Sequence, residues 1–384
     1  MWLGDLLRRL RKTSLIFGKL DRGSEGMSTW YIESALAKTS RIILQRGILG
    51  EVGLEEWAPC GTPVVVIADP IVLDKHPHLE TRLTQWAGPD SIYQLDISEA
   101  TKNLTTVEKL YQEFGTRHVR RDTVVVAVGG GVLTDTVGYA AATYLRGIKW
   151  IAIPTTLLGQ VDAAIGGKVA VNVSWGKNLV GAFHLPQAVI IDPQVLHTLP
   201  MRQWRAGVGE VMKSALIDGQ WLWEQLNDSV PAFGSEEWDS LVEATAGIKV
   251  AIVNNDLEET ASRMYLNFGH TVAHGLENYL GYGRITHGEA VALGTRVALA
   301  LSEEVLGLDE AVRRTVEQWM IAWELPLTLS QGDWNAVFEA MTQDKKSRAH
   351  GLQWVLLKDV GHPLIYRNLP RKQVQETMER ILSI

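Results

Sequence analysis

The sequence predicts an α/β protein, with a parallel sheet in its N-terminal half and a mainly α-helical C-terminal half. Two patterns carry that expectation. Short, wholly apolar runs recur up to Ile191 and stop on Asp, Gly or Pro, as strands buried on both faces do. Beyond Thr198 such runs mostly vanish, and long segments with apolar residues at helical spacing take their place.

The first segment stands apart. In Met1–Gly26, Trp2, Leu3, Leu6, Leu7 and Leu10 fall at helical spacing beside Arg8, Arg9 and Arg11. It reads either as an extension ahead of a start at Met27 or as a short basic amphipathic helix with a targeting or membrane-surface role. The extension is the reading adopted here, and charge throughout the apolar run argues against a secretory signal. Residues 1–38 are accordingly placed outside the fold, 39–197 in the α/β unit and 198–384 in the helical unit.

From about Arg41 strand and helix alternate. Pro63–Ala68 (PVVVIA) ends at Asp69, and Thr123–Val128 (TVVVAV) runs into Gly129, Gly130 and Gly131 ahead of a helix-like stretch near Asp135. Trp150–Ile153 (WIAI) stops at Pro154, and Ala188–Ile191 (AVII) at Asp192. Strands separated in this way imply a parallel sheet with right-handed crossovers. Helical periodicity then marks Trp204–Leu216, Trp238–Val253 and Glu289–Leu306, and a cleft between the halves is the expected ligand site.

Composition narrows the partners. With 384 residues, 46% hydrophobic and 21% charged, the chain is of ordinary globular make-up and long enough for two cores. A net charge of −7 argues against nucleic acid, although a local basic pocket for a small anion is compatible with it. Cys60 is the sole cysteine, so no disulfide can close within the chain; it reads as apolar filler, and a reducing cytoplasm is the expected setting. No apolar run reaches the roughly 18 residues of a membrane span.

Glycines after an apolar strand let main-chain amides approach a pyrophosphate, and a following helix N-terminus favours its charge, so Gly129–Gly131 is a candidate nucleotide turn. It is not a GxGxxG, and a plain strand-to-helix turn explains it equally well. Thr155 and Thr156, after Pro154, either bind a nucleotide or cap a helix. The second half holds a more specific set. His270 and His274 lie at i and i+4, His287 opens a plausible helix, and Glu210 and Lys213 are three apart. Three histidines and a carboxylate suit zinc, with His270, His274 and either His287 or Glu210 as ligands. Lys168, Lys177, Lys213 and Lys249 stand in apolar or glycine-rich surroundings, where ammonium groups are costly unless they meet anions.

Block by block, the sequence resembles the 3-dehydroquinate synthase family. The matching blocks are GGGVLTD (129–135), AATYLRG (141–147), IPTTLL (153–158), QVDAAIGGK (160–168) and GKN (176–178). TLP (198–200), RAGVGEVMK (205–213), LNFGHTVAH (266–274), HGEAVALG (287–294) and DKK (344–346) follow, and the likeness runs from about residue 40 to the C-terminus. The segment departs from the family at Leu133-Thr134-Asp135 and at Ser98, both in the cofactor region.

That resemblance implies what spacing does not. It implies NAD held by Asp69, Glu99, Lys102, Gly130, Gly131, Asp135, Thr155, Thr156, Lys168, Lys177 and Thr198. It implies a metal, Zn2+ or Co2+, on Glu210, His270 and His287, which leaves His274 to the substrate. Asp162, Lys168, Asn178, Lys213, Lys249, Arg263, Asn267, His274 and Lys345 are the implied catalytic and substrate contacts. The implied substrate is 3-deoxy-arabino-heptulosonate 7-phosphate, whose phosphate and carboxylate suit an excess of cations. NAD would be reduced transiently and restored while phosphate leaves and an aldol closure makes the carbocycle, in a homodimer. The alternatives are another sugar phosphate cyclase, making a valiolone, a deoxygadusol precursor or an amino-cyclitol precursor, a metal-dependent polyol dehydrogenase, or a catalytically silent paralogue.

Overall fold

The computed structural model describes residues 21–22, 26–33, 39–51, 58–59, 61–259, 262–281, 283–329, 332–345, 352–367 and 369–383. Residues 1–20 and 23–25, with the amphipathic helix expected there, and Cys60 lie outside them. Among the described residues the first nine strands in chain order are β1 (Asp21–Arg22), β2 (Ser28–Glu33), β3 (Thr39–Leu44), β4 (Val64–Ala68), β5 (Ile92–Gln94), β6 (Val124–Gly129), β7 (Lys149–Pro154), β8 (Lys168–Val173) and β9 (Gly176–Phe183). With β10 (Ala188–Ile191) they give an eight-stranded sheet of order β1-β2-β3-β10-β7-β6-β4-β5 and a separate β8–β9 hairpin.

From β3 to β5 the pairing is parallel throughout. Every residue of β4, β6 and β10 is buried, which is why these strands read as unbroken apolar runs. Odd and even positions serve different cores. Val65, Ala127 and Ala152 pack toward the C-terminal helices, while Val66, Val126, Ile151 and Ile190 face an independent cluster on the other side.

The expected start of the fold at residue 39 is corrected here, because Ser28–Glu33 belong to the sheet. β2 pairs antiparallel with β3 along six residues and buries Trp30 and Ile32. Its sequence, STWYIE, mixes polar and apolar residues as an antiparallel strand does, so a search for continuous apolar runs passes over it. The β8–β9 hairpin escaped for the same reason.

Five helices position the site: α1 (Gly131–Thr143), α2 (Met201–Ile217), α3 (Glu237–Asn255), α4 (His270–Leu280) and α5 (His287–Leu306). α1 begins at Gly131, directly after β6, rather than near Asp135. α5 begins where it does because Thr286 and Glu289 form a capping box, each side chain accepting from the other's main-chain amide. α2 and α5 touch backbone to backbone. A Cβ on Gly288 would lie 2.2 Å from the Ala206 carbonyl oxygen, and one on Gly209 2.5 Å from that of Gly288. These two glycines draw Glu210 and His287 together. The helical half is not wholly helical: β11 (Gln353–Asp359) and β12 (His362–Arg367) form an antiparallel hairpin beside α5.

Candidate active site

Glu210 on α2, His270 at the start of α4 and His287 at the start of α5 converge so that one ligand atom from each lies within 4.8 Å of the others. The orientation of both rings is fixed from behind. His270 Nδ1 donates to the Phe268 carbonyl at 3.1 Å, and His287 Nδ1 faces Glu277 Oε1 at 3.5 Å. Each Nε2 is thereby turned to the same Glu210 oxygen, at 3.4 and 3.5 Å. That oxygen, Oε1, is buried and has no hydrogen-bond partner. A carboxylate oxygen left so, between two imidazole nitrogens, fits a divalent ion.

Burial pushes His270 down to about 4, against Glu210, so its ring is neutral as a ligand must be. Burial opposes charge on His287 as well, but Glu210 and Glu277 overcome it and hold that ring up at about 10. A metal displaces such a proton, since it supplies the positive charge both carboxylates seek.

Cations crowd the same place. Lys213 is 1% exposed and paired with Glu210 Oε2. Burial works against its charge, yet Glu210 and Asp162 together hold its pKa above the ordinary lysine value. Asp162, from the turn Gly159–Ala163, also accepts from Lys249 at 2.5 Å and lies 3.9 Å from Lys213. Burial pushes Lys249 down to about 8, with Asp162 pulling the other way. Arg263, 1% exposed, donates to the Leu257 and Gly166 carbonyls and leaves a buried Nε without a partner.

Glu259 was not foreseen. It binds Lys168 and, at 2.6 Å, Asn267 Nδ2, so one carboxylate gathers two of the expected substrate contacts. Its φ of 60° is in the left-handed region, a strain of about 1–3 kcal/mol that persists where the surroundings require the side chain in one place. Nothing local in the sequence announces it. Glu277 was missed too, though its position seven residues after His270 sets both on one face of α4, a signal that could have found it.

On the sheet side, Lys102 is almost fully buried and donates to Asp135 at 2.5 Å and to Asn178 at 2.7 Å. Lys177 lies 3.0 Å from Glu277 and 3.6 Å from Glu99. Gly130 caps α1; a Cβ there would meet the Thr156 methyl at 3.0 Å, and one on Gly131 would meet Ala163 at 2.9 Å. This turn, with the Thr155 amide bonded to the Gly129 carbonyl, is a tight cradle in which a side chain would displace its neighbours, and it fits a nucleotide phosphate. Asp69 caps the short helix Pro70–Lys75, and His76 at its other end lies 2.8 Å from Thr198. Thr198, His76, Arg46, Gln194 and His197 line a cavity of about 300 Å³.

The structure thus brings together the expected metal ligands with Asp162, Lys213 and Lys249, and it keeps His274 out of the ligand cluster, its ring 5.6 Å from that of His270. The i,i+4 pairing of His270 and His274 as joint ligands is set aside, because α5 brings His287 into the cluster with Glu210 and His270. The side chain of Lys345 lies outside the described residues.

Solved structures similar to this chain include two cyclising synthases. 2-epi-5-epi-Valiolone synthase from Streptomyces hygroscopicus, with NAD+ and Zn2+ bound, matches with a TM-score of 0.81 at 25% identity, covering 92% of this chain and 99% of its own. A 2-deoxy-scyllo-inosose synthase complexed with carbaglucose-6-phosphate, NAD+ and Co2+ matches with a TM-score of 0.81 at 27% identity, covering 92% and 100%. The fold is that of the sugar phosphate cyclases. The family model for the N-terminal part of 3-dehydroquinate synthase matches residues 92–206, and that for the C-terminal part 207–347. 3-Dehydroquinate synthase of Streptococcus gordonii is 36% identical over 346 residues, 88% of this chain and 96% of the relative. The chain belongs to the 3-dehydroquinate synthase family.

Proposed function

We propose that the chain converts 3-deoxy-arabino-heptulosonate 7-phosphate to 3-dehydroquinate and phosphate, as an NAD- and divalent-metal-dependent carbon–oxygen lyase. The observation that carries the reading is the buried set of cations, Lys213, Lys249 and Arg263, beside a Glu-His-His cluster. A ligand with both phosphate and carboxylate supplies the anions such a set needs. NAD and the divalent ion, when bound, would supply reversible hydride acceptance and polarisation of the hydroxyl oxygen on the carbon that is oxidised.

The protein's own groups do the positioning. Lys249 and Lys213 fix anionic oxygens, and Asp162 between them holds both ammonium groups in place. Lys168 and Asn267, gathered by Glu259, orient the carboxylate or the hydroxyls. His274, adjacent to the cluster but not of it, is the group best suited to move a proton on the substrate. Lys102 sets Asp135 and Asn178 toward the nicotinamide side. The proposal takes residues 39–197, extended by β2, as the NAD unit and 198–384 as the metal and substrate unit. On the family resemblance it includes a cytoplasmic homodimer.

The test is to follow nicotinamide absorbance and inorganic phosphate in one sample with trace NAD. One phosphate per substrate without net NADH is expected. Net reduction of that trace NAD without phosphate would instead indicate a polyol dehydrogenase, and phosphate with a different carbocycle would indicate a sister cyclase.

A further inference from the structure

We infer that Glu277 is a positioning residue that couples the metal cluster to the nucleotide side of the cleft, by holding His287 and Lys177 on a single carboxylate oxygen. The inference rests on the assignment of Glu210, His270 and His287 as metal ligands and of Lys177 to the NAD side.

Glu277 Oε1 stands 3.5 Å from His287 Nδ1 and 3.0 Å from Lys177 Nζ, and the side chain is only 5% exposed. Its two partners come from opposite halves of the molecule: His287 opens α5, and Lys177 lies on the β8–β9 hairpin. A carboxylate that accepts from Nδ1–H fixes the imidazole tautomer, so Nε2 presents a lone pair to the position 3.5 Å away that Glu210 Oε1 also faces. The same oxygen draws Lys177 inward from the hairpin, leaving Glu99 as a second, longer acid contact at 3.6 Å. Because one oxygen serves both, a change in how Lys177 is engaged by nucleotide alters the bond that orients His287. Thermodynamic linkage makes the reverse equally true.

Three variants of the full chain test this: Glu277→Gln, Glu277→Asp and His270→Ala. Zinc affinity is read by competition with a chromophoric chelator, and NAD affinity by calorimetry with and without zinc. Glu277→Gln keeps the volume and loses the anion, so zinc should weaken about 10–100-fold. The ratio of NAD affinities with and without zinc, different from one in the wild type, should fall to one. Wild-type zinc affinity in Glu277→Gln, or an undiminished ratio, overturns the inference. If Glu277→Gln melts early, Glu277→Asp decides: zinc weakened to a lesser degree supports the role, and unchanged zinc and ratio refute it. His270→Ala separates the failures, since a protein that still binds zinc there removes the metal-site assignment itself rather than the part played by Glu277.

Discussion

The two halves of the molecule build their shares of the site by different means. On the sheet side, Gly130, Gly131, Thr155 and Thr156 sit at the ends of adjacent strands, joined by main-chain bonds such as Thr155 N to Gly129 O at 3.0 Å. On the helical side, Glu210, His270, His287 and Lys249 come from four separate helices and meet Asp162, from the Gly159–Ala163 turn of the other half, in a largely enclosed cluster of charged and ligating groups. The sheet side depends on space left empty; the helical side depends on charges that cannot be removed singly without stranding a partner. Substitutions should therefore fail in different ways on the two sides.

The largest effect is expected at the cluster. His270→Ala should strip the metal and lower turnover on the order of 10³-fold or more, because it removes one of three donors. Metal analysis beside a phosphate-release assay checks this, and full metal occupancy would break the contrast at its strongest point. His274→Ala should fall less, on the order of 10²-fold, with metal retained, as suits a proton-moving group. A metal-free His274→Ala protein would restore the helical histidine pair as ligands.

The same contrast explains what could be read from the sequence. β4, β6, β7 and β10 were legible within a residue or so because burial on both faces leaves an apolar signature in the strand itself. The glycine turn was legible because it follows its strand directly. β2 was not, since its partner strand rather than its own composition makes it a strand. In the helical half, spacing alone favoured His274 over the convergence of Glu210 and His287, which lie 77 residues apart and meet only because Gly209 and Gly288 let α2 and α5 touch. Family resemblance supplied that ligand set; periodicity could not.

A smaller effect is expected in the pH profile. Lys249 is charged below about 8 and neutral above it, so kcat/KM should decline as pH rises through about 8 if that ammonium holds a substrate anion. Asp162→Asn removes the anion that raises the Lys249 pKa, and the limb should move to lower pH by about one unit. Stability runs in the opposite sense. Between about 8 and the ordinary lysine value of 10.5 the unfolded chain holds one proton more, so this group adds stability as pH rises there. Rate profiles and thermal melts of both proteins measure the two trends, and a limb that stays fixed in Asp162→Asn excludes Lys249 as its source.

The smallest effect is expected at the glycine turn, and there the contrast between the halves can be sharpened most. Gly131 opens α1 with an ordinary φ, so its lack of a side chain serves space and not conformation. A methyl group added there would lie 2.9 Å from the Ala163 Cβ, one residue from Asp162. Overpacking of this kind costs about 1–3 kcal/mol, and the strain is relieved either by widening the turn or by moving Asp162. If the turn widens, Gly131→Ala should bind NAD about tenfold more weakly, with zinc and the Lys249 pH limb unchanged. If Asp162 moves, NAD affinity should hold while the pH limb shifts down, as in Asp162→Asn. Gly130→Ala serves as the comparison, because the nearest atoms its methyl would meet are all of the Thr156 side chain, the Thr156 methyl at 3.0 Å first, and not of Asp162 or its neighbour Ala163. Calorimetry of NAD binding together with the pH profile distinguishes the cases. The first outcome keeps the sheet side a matter of space alone. The second joins it to the charged network through the Gly159–Ala163 turn, and the division between the two halves would then run through Asp162.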